Sequence, residues 1–243
     1  MPINLKGNEI TSGDTTNAGV FKTRIPTDGL VFFLDAADKN SYSGTGTSWT
    51  DLSGNGNNFT WASTPTFTDS GLGSYFSTNN NLATGPASNS VGINNTSGYS
   101  VIWISLTNNQ GSNSGFKFAG SDAYTRGIFV HPSWTNSTIY FDQGGCCGSD
   151  TRTSYTFTTG DFSAYRMWTL TSDVYTRQIW MNDVAYTTNT TTAADINLTA
   201  TGIQVAGTNE GYWDARLKVF LVYRRRLERN EISQIYQALK GRL

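Results

Sequence analysis

Residues 29–60 read GLVFFLDAADKNSYSGTGTSWTDLSGNGNNFT. Within them residues 30–34 (LVFFL) form a short apolar run, bounded by the turn pair Asp28-Gly29 before it and by Asp35 after it. A run of that length, closed at both ends by turn residues, is the pattern of a buried strand. Beyond Asp35 there are too many Gly, Ser and Asn for a helix, yet Tyr42, Trp49 and Leu52 recur among them. A loop with that much apolar surface is expected to fold back and pack its aromatics on the body, which makes it ordered.

The same grammar continues along the chain. Residues 99–106 (YSVIWISL), 116–119, 127–130, 138–142 and 153–157 are rich in β-branched and aromatic types, with Gly, Asn, Ser or Pro between them. Residues 164–171, 177–181, 202–206 and 214–223 extend the series. So many short strands with no helical stretch between them predict an all-β antiparallel sandwich. In residues 164–171 and 214–223 bulk falls on both alternating positions, so one face is expected to fill the core and the other to be covered by a loop, an arm or a partner. The final element is a short helix: Ile232, Ile235, Tyr236 and Leu239 make one apolar stripe, Gly241 ends it, and Glu228 and Glu231 suit its positive end. Residues 1–27 show neither period and read as an extended N-terminal arm, leaving residues 28–243 as one sandwich domain. Such an arm is either a disordered tail or a segment that orders against a neighbouring subunit, with Ile3, Leu5, Ile10, Val20, Phe21 and Ile25 as its anchors.

Composition narrows the partners. Charged residues are 14% of the 243, against ~25% in soluble domains generally, and about a third of the chain is Thr, Ser or Asn. The surface is therefore polar through hydroxyls and amides. A net charge of -1 leaves no basic footprint for nucleic acid. Arg224, Arg225 and Arg226 form the one basic cluster and read as a solvated turn. No apolar run approaches the ~18 residues of a membrane span, and the opening MPINLKGNEI does not read as a signal peptide, so no membrane partner is expected. Cys146 and Cys147 are adjacent in GGCCGSD and are read as two free thiols, with a vicinal bridge or a link to another chain as the alternatives.

The words GLVFFLDA and WTDLSGNGNNFT resemble the opening of concanavalin A-like, LamG-type jelly-roll domains, particularly those in virion proteins of tailed bacteriophages. VHPSWTNSTIYFDQGG at 130–145, MWTLTSDVYTRQIWMNDV at 167–184 and GYWDARLKVFLVYRRRLERNEISQIYQALKGR at 211–242 are similar to later segments of the same domains. Two departures stand out: Asp183 where Gly usually follows the Asn, and Glu228 where Ser is usual. The resemblance implies a concanavalin A-like jelly roll and a non-enzymatic structural protein on a virion exterior, as capsid decoration, tail or fibre. It would meet other virion proteins and form a homo-oligomer. The alternative is an adhesin that binds host surface glycans.

The residues offer little to hydrolysis. Cleaving a glycosidic bond takes two carboxyl groups held about 5 to 10 Å apart. The glutamates are Glu9, Glu210, Glu228 and Glu231, and none forms the Glu-x-Asp-x-x-Glu pattern of jelly-roll glucanases. His131 is the only histidine, which excludes a zinc site of several imidazoles, and it reads as an ordinary loop or core residue. The glycine runs at 44–46 and 54–56 lack a following Lys-Ser and helix, so they make turns and not phosphate cradles. Cofactors are not expected. LamG relatives often hold calcium through Asp side chains, so the resemblance allows an ion at Asp35, Asp51, Asp142, Asp150 or Asp214. For sugar, Trp134, Tyr212 and Trp213 in loop segments are the candidate platform; the same three could instead close the sandwich ends or meet another subunit.

Overall fold

Residues 30–35 form the expected strand, and its neighbours show why. The computed structural model describes residues 9–10, 24–108, 110–111, 114–121, 127–208 and 211–243. In it Leu30–Asp35 pairs with Ala215–Tyr223, which also pairs with Tyr99–Thr107 and Tyr75–Ser77. The first sheet runs Val184–Asn189, Arg177–Met181, Arg166–Ser172, Tyr99–Thr107, Ala215–Tyr223, Tyr75–Ser77, Thr66–Thr68. The second runs Arg152–Thr156, Thr138–Gln143, Ile128–His131, Phe116–Phe118, Gly202–Val205, Ala83–Ala87, Phe59–Trp61, Ser48–Trp49. Both are antiparallel, and they close on each other as a β-sandwich.

Register decides which side chains fill the space between the sheets. In the second sheet Phe59, Trp61, Ala83, Ile203, Val205, Phe116, Phe118, Ile128, Val130, Ile139 and Phe141 point inward and are buried. From the first sheet Phe32, Leu34, Trp103, Trp168, Leu170, Phe220 and Val222 meet them. The opening loop behaves as its aromatics required: Trp49 stacks on Trp61 with centroids 5.7 Å apart, and Tyr42 packs edge-on to Phe76 at 4.8 Å. Asp51 holds that loop shut. Its carboxylate accepts the backbone N–H groups of Phe33 (2.9 Å), Ser53 (2.8 Å) and Asn57 (3.0 Å) and the Ser53 hydroxyl (2.7 Å).

The opposite face of the first sheet is also apolar, as its two-sided bulk predicted. Phe33, Ile102, Ile104, Met167, Val219, Leu221 and Tyr223 pack under Ile232, Ile235 and Leu239 of the helix Arg229–Leu239. The helix opens where Glu231, in its first turn, accepts the Glu228 backbone N–H at 3.0 Å, the reciprocal half of a capping box. Glu231 also pairs with Arg225 at 2.6 Å, and that guanidinium holds its carboxyl below the usual carboxylate range. A further single turn, Thr159–Phe162, escaped sequence reading; the Asp161 carboxylate accepts the Thr158 backbone N–H and hydroxyl.

The arm needs a correction at its end. Ile25 is fully buried in the cluster under the helix, and the Arg24 carbonyl accepts from Gln234, so the body begins ahead of Asp28. Ile25 is therefore a core residue of this chain and not an anchor for a neighbour. Ile10 belongs to Glu9–Ile10, a two-residue strand paired with Ile25–Pro26. Ile3, Leu5, Val20 and Phe21 lie outside the described residues.

Two polar clusters are buried in the fold. On the helix-covered side Arg242 donates to Asp35 Oδ2 at 2.9 and 2.7 Å, while Lys218 Nζ donates to the Arg242 carbonyl at 2.6 Å and lies 3.4 Å above the Tyr165 ring. Burial pushes the Asp35 carboxyl up against the pull of Arg242, and burial draws Lys218 down to about 8. Inside the core, Tyr99 and Ser172 donate to Gln143 Oε1 at 2.7 and 2.6 Å, and Gln143 Nε2 donates to Asn95 at 3.1 Å. Beside this network Cys146 and Cys147 are joined by a disulfide, which corrects the reading as two free thiols. Left-handed backbone at Gly144 (φ 69°) and Cys147 (φ 78°) gives the loop the tight path that a bridge between neighbours needs.

Candidate functional site

The outer face of the second sheet has no described helix packed on it. Cross-strand partners there bring Thr60 opposite Thr84, His131 opposite Tyr140 and Asp142 opposite Arg152. The last four form one cluster with Trp134. Trp134 opens a tight turn in which Ser137, at φ 60°, returns its N–H to the Trp134 carbonyl at 2.9 Å. The half-buried indole stands edge-on to His131 (4.8 Å, 78°) and perpendicular to Tyr140 (5.8 Å, 90°).

Charge adjoins these rings. Arg152 clasps Asp142 through Nε and Nη2, both at 2.6 Å, and its guanidinium carbon lies 4.4 Å from the Tyr140 centroid. The bidentate pair holds the Arg152 pKa above its usual value. His131 Nδ1 is 3.3 Å from Ser114 Oγ, its Nε2 is 3.8 Å from Asp142 Oδ2, and Asn136 Nδ2 donates to the Tyr140 hydroxyl at 3.2 Å. Rings fixed beside pinned polar groups can take the C–H face of a pyranose and hydrogen-bond its hydroxyls. Asp142 is committed to Arg152, so the cluster holds no pair of carboxyls for acid and base work.

Of the three aromatics proposed as a platform, the structure keeps Trp134 at this surface. Tyr212 is 38% exposed, on Gly211–Tyr212 paired with Gly207–Thr208. Trp213 is a correction: it is 3% exposed, belongs to the central core and donates its indole N–H to Ser133 Oγ at 3.2 Å. Trp213 follows that two-residue strand, and the chain there turns it inward, its N–H donating to the Ala206 carbonyl. Sequence reading missed Tyr140 and Arg152 and took His131 as ordinary. The usable signal was alternation in 138–142, where Tyr140 and Asp142 share one face against Ile139 and Phe141.

The aspartates considered for calcium are dispersed. Asp35 is held by Arg242, Asp51 by loop N–H groups, Asp142 by Arg152, and Asp214 Oδ1 accepts from Asn108 at 3.0 Å. Asp150 is exposed. Among the described residues no three His, Cys, Asp or Glu side chains converge as a metal cluster.

No family model matches the chain, and no curated protein sequence does. Solved structures do match. Domain 4 of the extracellular arabinanase AbnA from Geobacillus stearothermophilus, solved in complex with arabinotriose, aligns with a TM-score of 0.65 at 13% identity, covering 86% of this chain and 98% of that one. Trypanosoma rangeli sialidase aligns at 0.62 and 13% identity, over 89% of this chain but 34% of the enzyme. The binding domain of Paraclostridial Mosquitocidal Protein 1 aligns at 0.61 and 15% identity, over 86% of this chain and 52% of that domain. The chain thus spans about a third of the sialidase it matches, 34%. At these identities the likeness is one of fold: an antiparallel β-sandwich also found in carbohydrate-active proteins.

Proposed function

We propose that the chain is a non-catalytic carbohydrate-binding sandwich, using the face built from His131, Trp134, Tyr140, Asp142 and Arg152. The observation that carries this reading is the perpendicular Trp134 and Tyr140 pair beside the Arg152 to Asp142 clasp. The arabinanase domain with bound arabinotriose supports it by analogy of fold. On a glycan array the protein should give saturable hits that weaken about fivefold or more in Trp134→Ala and Tyr140→Ala, each aromatic contact being worth about 1 kcal/mol or more. An array without hits at concentrations suited to millimolar affinities sinks the proposal.

The resemblance of the opening and three later segments to phage jelly rolls supports a narrower setting: an exterior virion subunit, homo-oligomeric, with host surface glycans as its ligands. Residues 1–23 would then tie it to other virion proteins. Removing residues 2–22 spares Arg24 and Ile25, so it should leave the sandwich folded while abolishing incorporation into particles. Normal incorporation of that deletion variant overturns the tethering role.

A further inference from the structure

At the end of the sandwich where Leu30–Asp35 begins, a groove of about 240 Å³ is lined by Leu30, Val31, Asn55, Asn57, Ser90, Val91 and Arg224. It shares no residue with the Trp134 cluster. We infer that this groove is a binding site for a carboxylate-bearing monosaccharide unit, with Arg224 as its anion contact.

The three adjacent arginines differ in what they face. Arg225 is bound to Glu231 and Asp28, and Arg226 lies 3.5 Å from Asp173. Arg224 is exposed, and among the described residues its guanidinium has neither an acid nor a hydrogen-bond partner. Its backbone is fixed, the N–H donating to the Gly29 carbonyl at 2.8 Å. One guanidinium is thus held in a polar groove with its planar fork available to a carboxylate.

The rest of the lining selects among anions. Asn55 Nδ2 donates to the Leu30 carbonyl at 2.9 Å and to the Val31 carbonyl at 3.1 Å, and Asn57 Nδ2 donates to Val31 at 2.8 Å. The Ser90 hydroxyl donates to Ala87 at 2.7 Å. What these side chains retain for a ligand is mostly acceptor capacity: two amide oxygens and the serine lone pairs. Acceptors beside one cation suit a molecule that is anionic at one point and carries hydroxyl donors elsewhere. A phosphate or sulfate dianion would set its oxygens against those acceptors, and a neutral sugar would leave Arg224 unused. The volume lies below the ~300 Å³ at which pockets take drug-sized ligands, which fits one sugar ring.

The test is a set of NMR titrations of the full chain with sodium D-glucuronate, D-glucose and inorganic phosphate. Glucuronate should shift amides around residues 30–31, 55–57, 90–92 and 224 saturably, in the millimolar range. Arg224→Gln should weaken that binding about tenfold, and Arg224→Lys by less, since a point charge replaces a fork. Trp134→Ala should leave it unchanged, so failure of the Trp134 face and failure of the groove are told apart. At those groove amides, no shifts with glucuronate, glucose binding equal to it, phosphate binding as tight, or unchanged affinity in Arg224→Gln would each overturn the inference.

Discussion

The two sheets share one core yet treat their outer faces in opposite ways. Outside the first sheet, Ile102, Ile104, Val219 and Leu221 are buried beneath a helix; outside the second, Thr60 and Thr84 are exposed, with His131 and Tyr140 half-buried. Strand geometry is the same in both, so the contrast lives in the residues at the outward positions. An apolar outer face makes a sheet a middle layer, and a polar one makes it a surface. Binding chemistry on this fold therefore belongs on the second sheet or at the sandwich ends, where side chains are not consumed by packing.

That contrast can be broken experimentally. The largest effect is expected from Arg242→Met, which leaves Asp35 buried without its partner on the covered side; urea unfolding should show a loss of about 3 to 5 kcal/mol. A loss below about 1 kcal/mol would mean that this side admits water. Ile235→Ala comes next, at about 3 kcal/mol, because it removes a fully buried side chain from the helix stripe. Lys218 gives a signed pH test. Its folded pKa, about 8, lies below the unfolded value of 10.5, so the unfolded chain binds more protons between them and stability rises with pH across that window. Native protein should gain stability relative to Lys218→Met on going from pH 7.5 to pH 10; a gap that stays constant contradicts the burial. The smallest effect is expected at Thr84→Ala on the second sheet, within about 0.5 kcal/mol. A cost there comparable to Ile235→Ala would erase the difference between the faces.

Much of this contrast was legible in the residues. The run at 30–34, the strand series and the Ile232, Ile235, Leu239 stripe announced a sandwich with one terminal helix, and the two-sided bulk of residues 214–223 required a cover. What covered it followed from Ile25 as well as the helix, and no local pattern in residues 1–27 marked Ile25 as core. The site was less visible. Trp134 drew notice as an aromatic in a polar turn, but Arg152 and Tyr140 become a pair only through the register of Thr138–Gln143 with Arg152–Thr156, a long-range fact. Trp213 misled because it sits just past the short strand Gly211–Tyr212, where the chain turns it into the core and no local pattern marks that turn.

The strand Ala215–Tyr223 lies at the centre of the first sheet, bonded on one side to Tyr99–Thr107 and on the other to Leu30–Asp35 and Tyr75–Ser77. Its partners are made more than a hundred residues earlier. During synthesis at roughly 5 to 20 residues per second, those earlier strands wait seconds with their central edges unpaired. Neither sheet has a complete partner until that strand emerges, so the nascent chain is the species most in need of a chaperone and most open to pairing with another copy of itself.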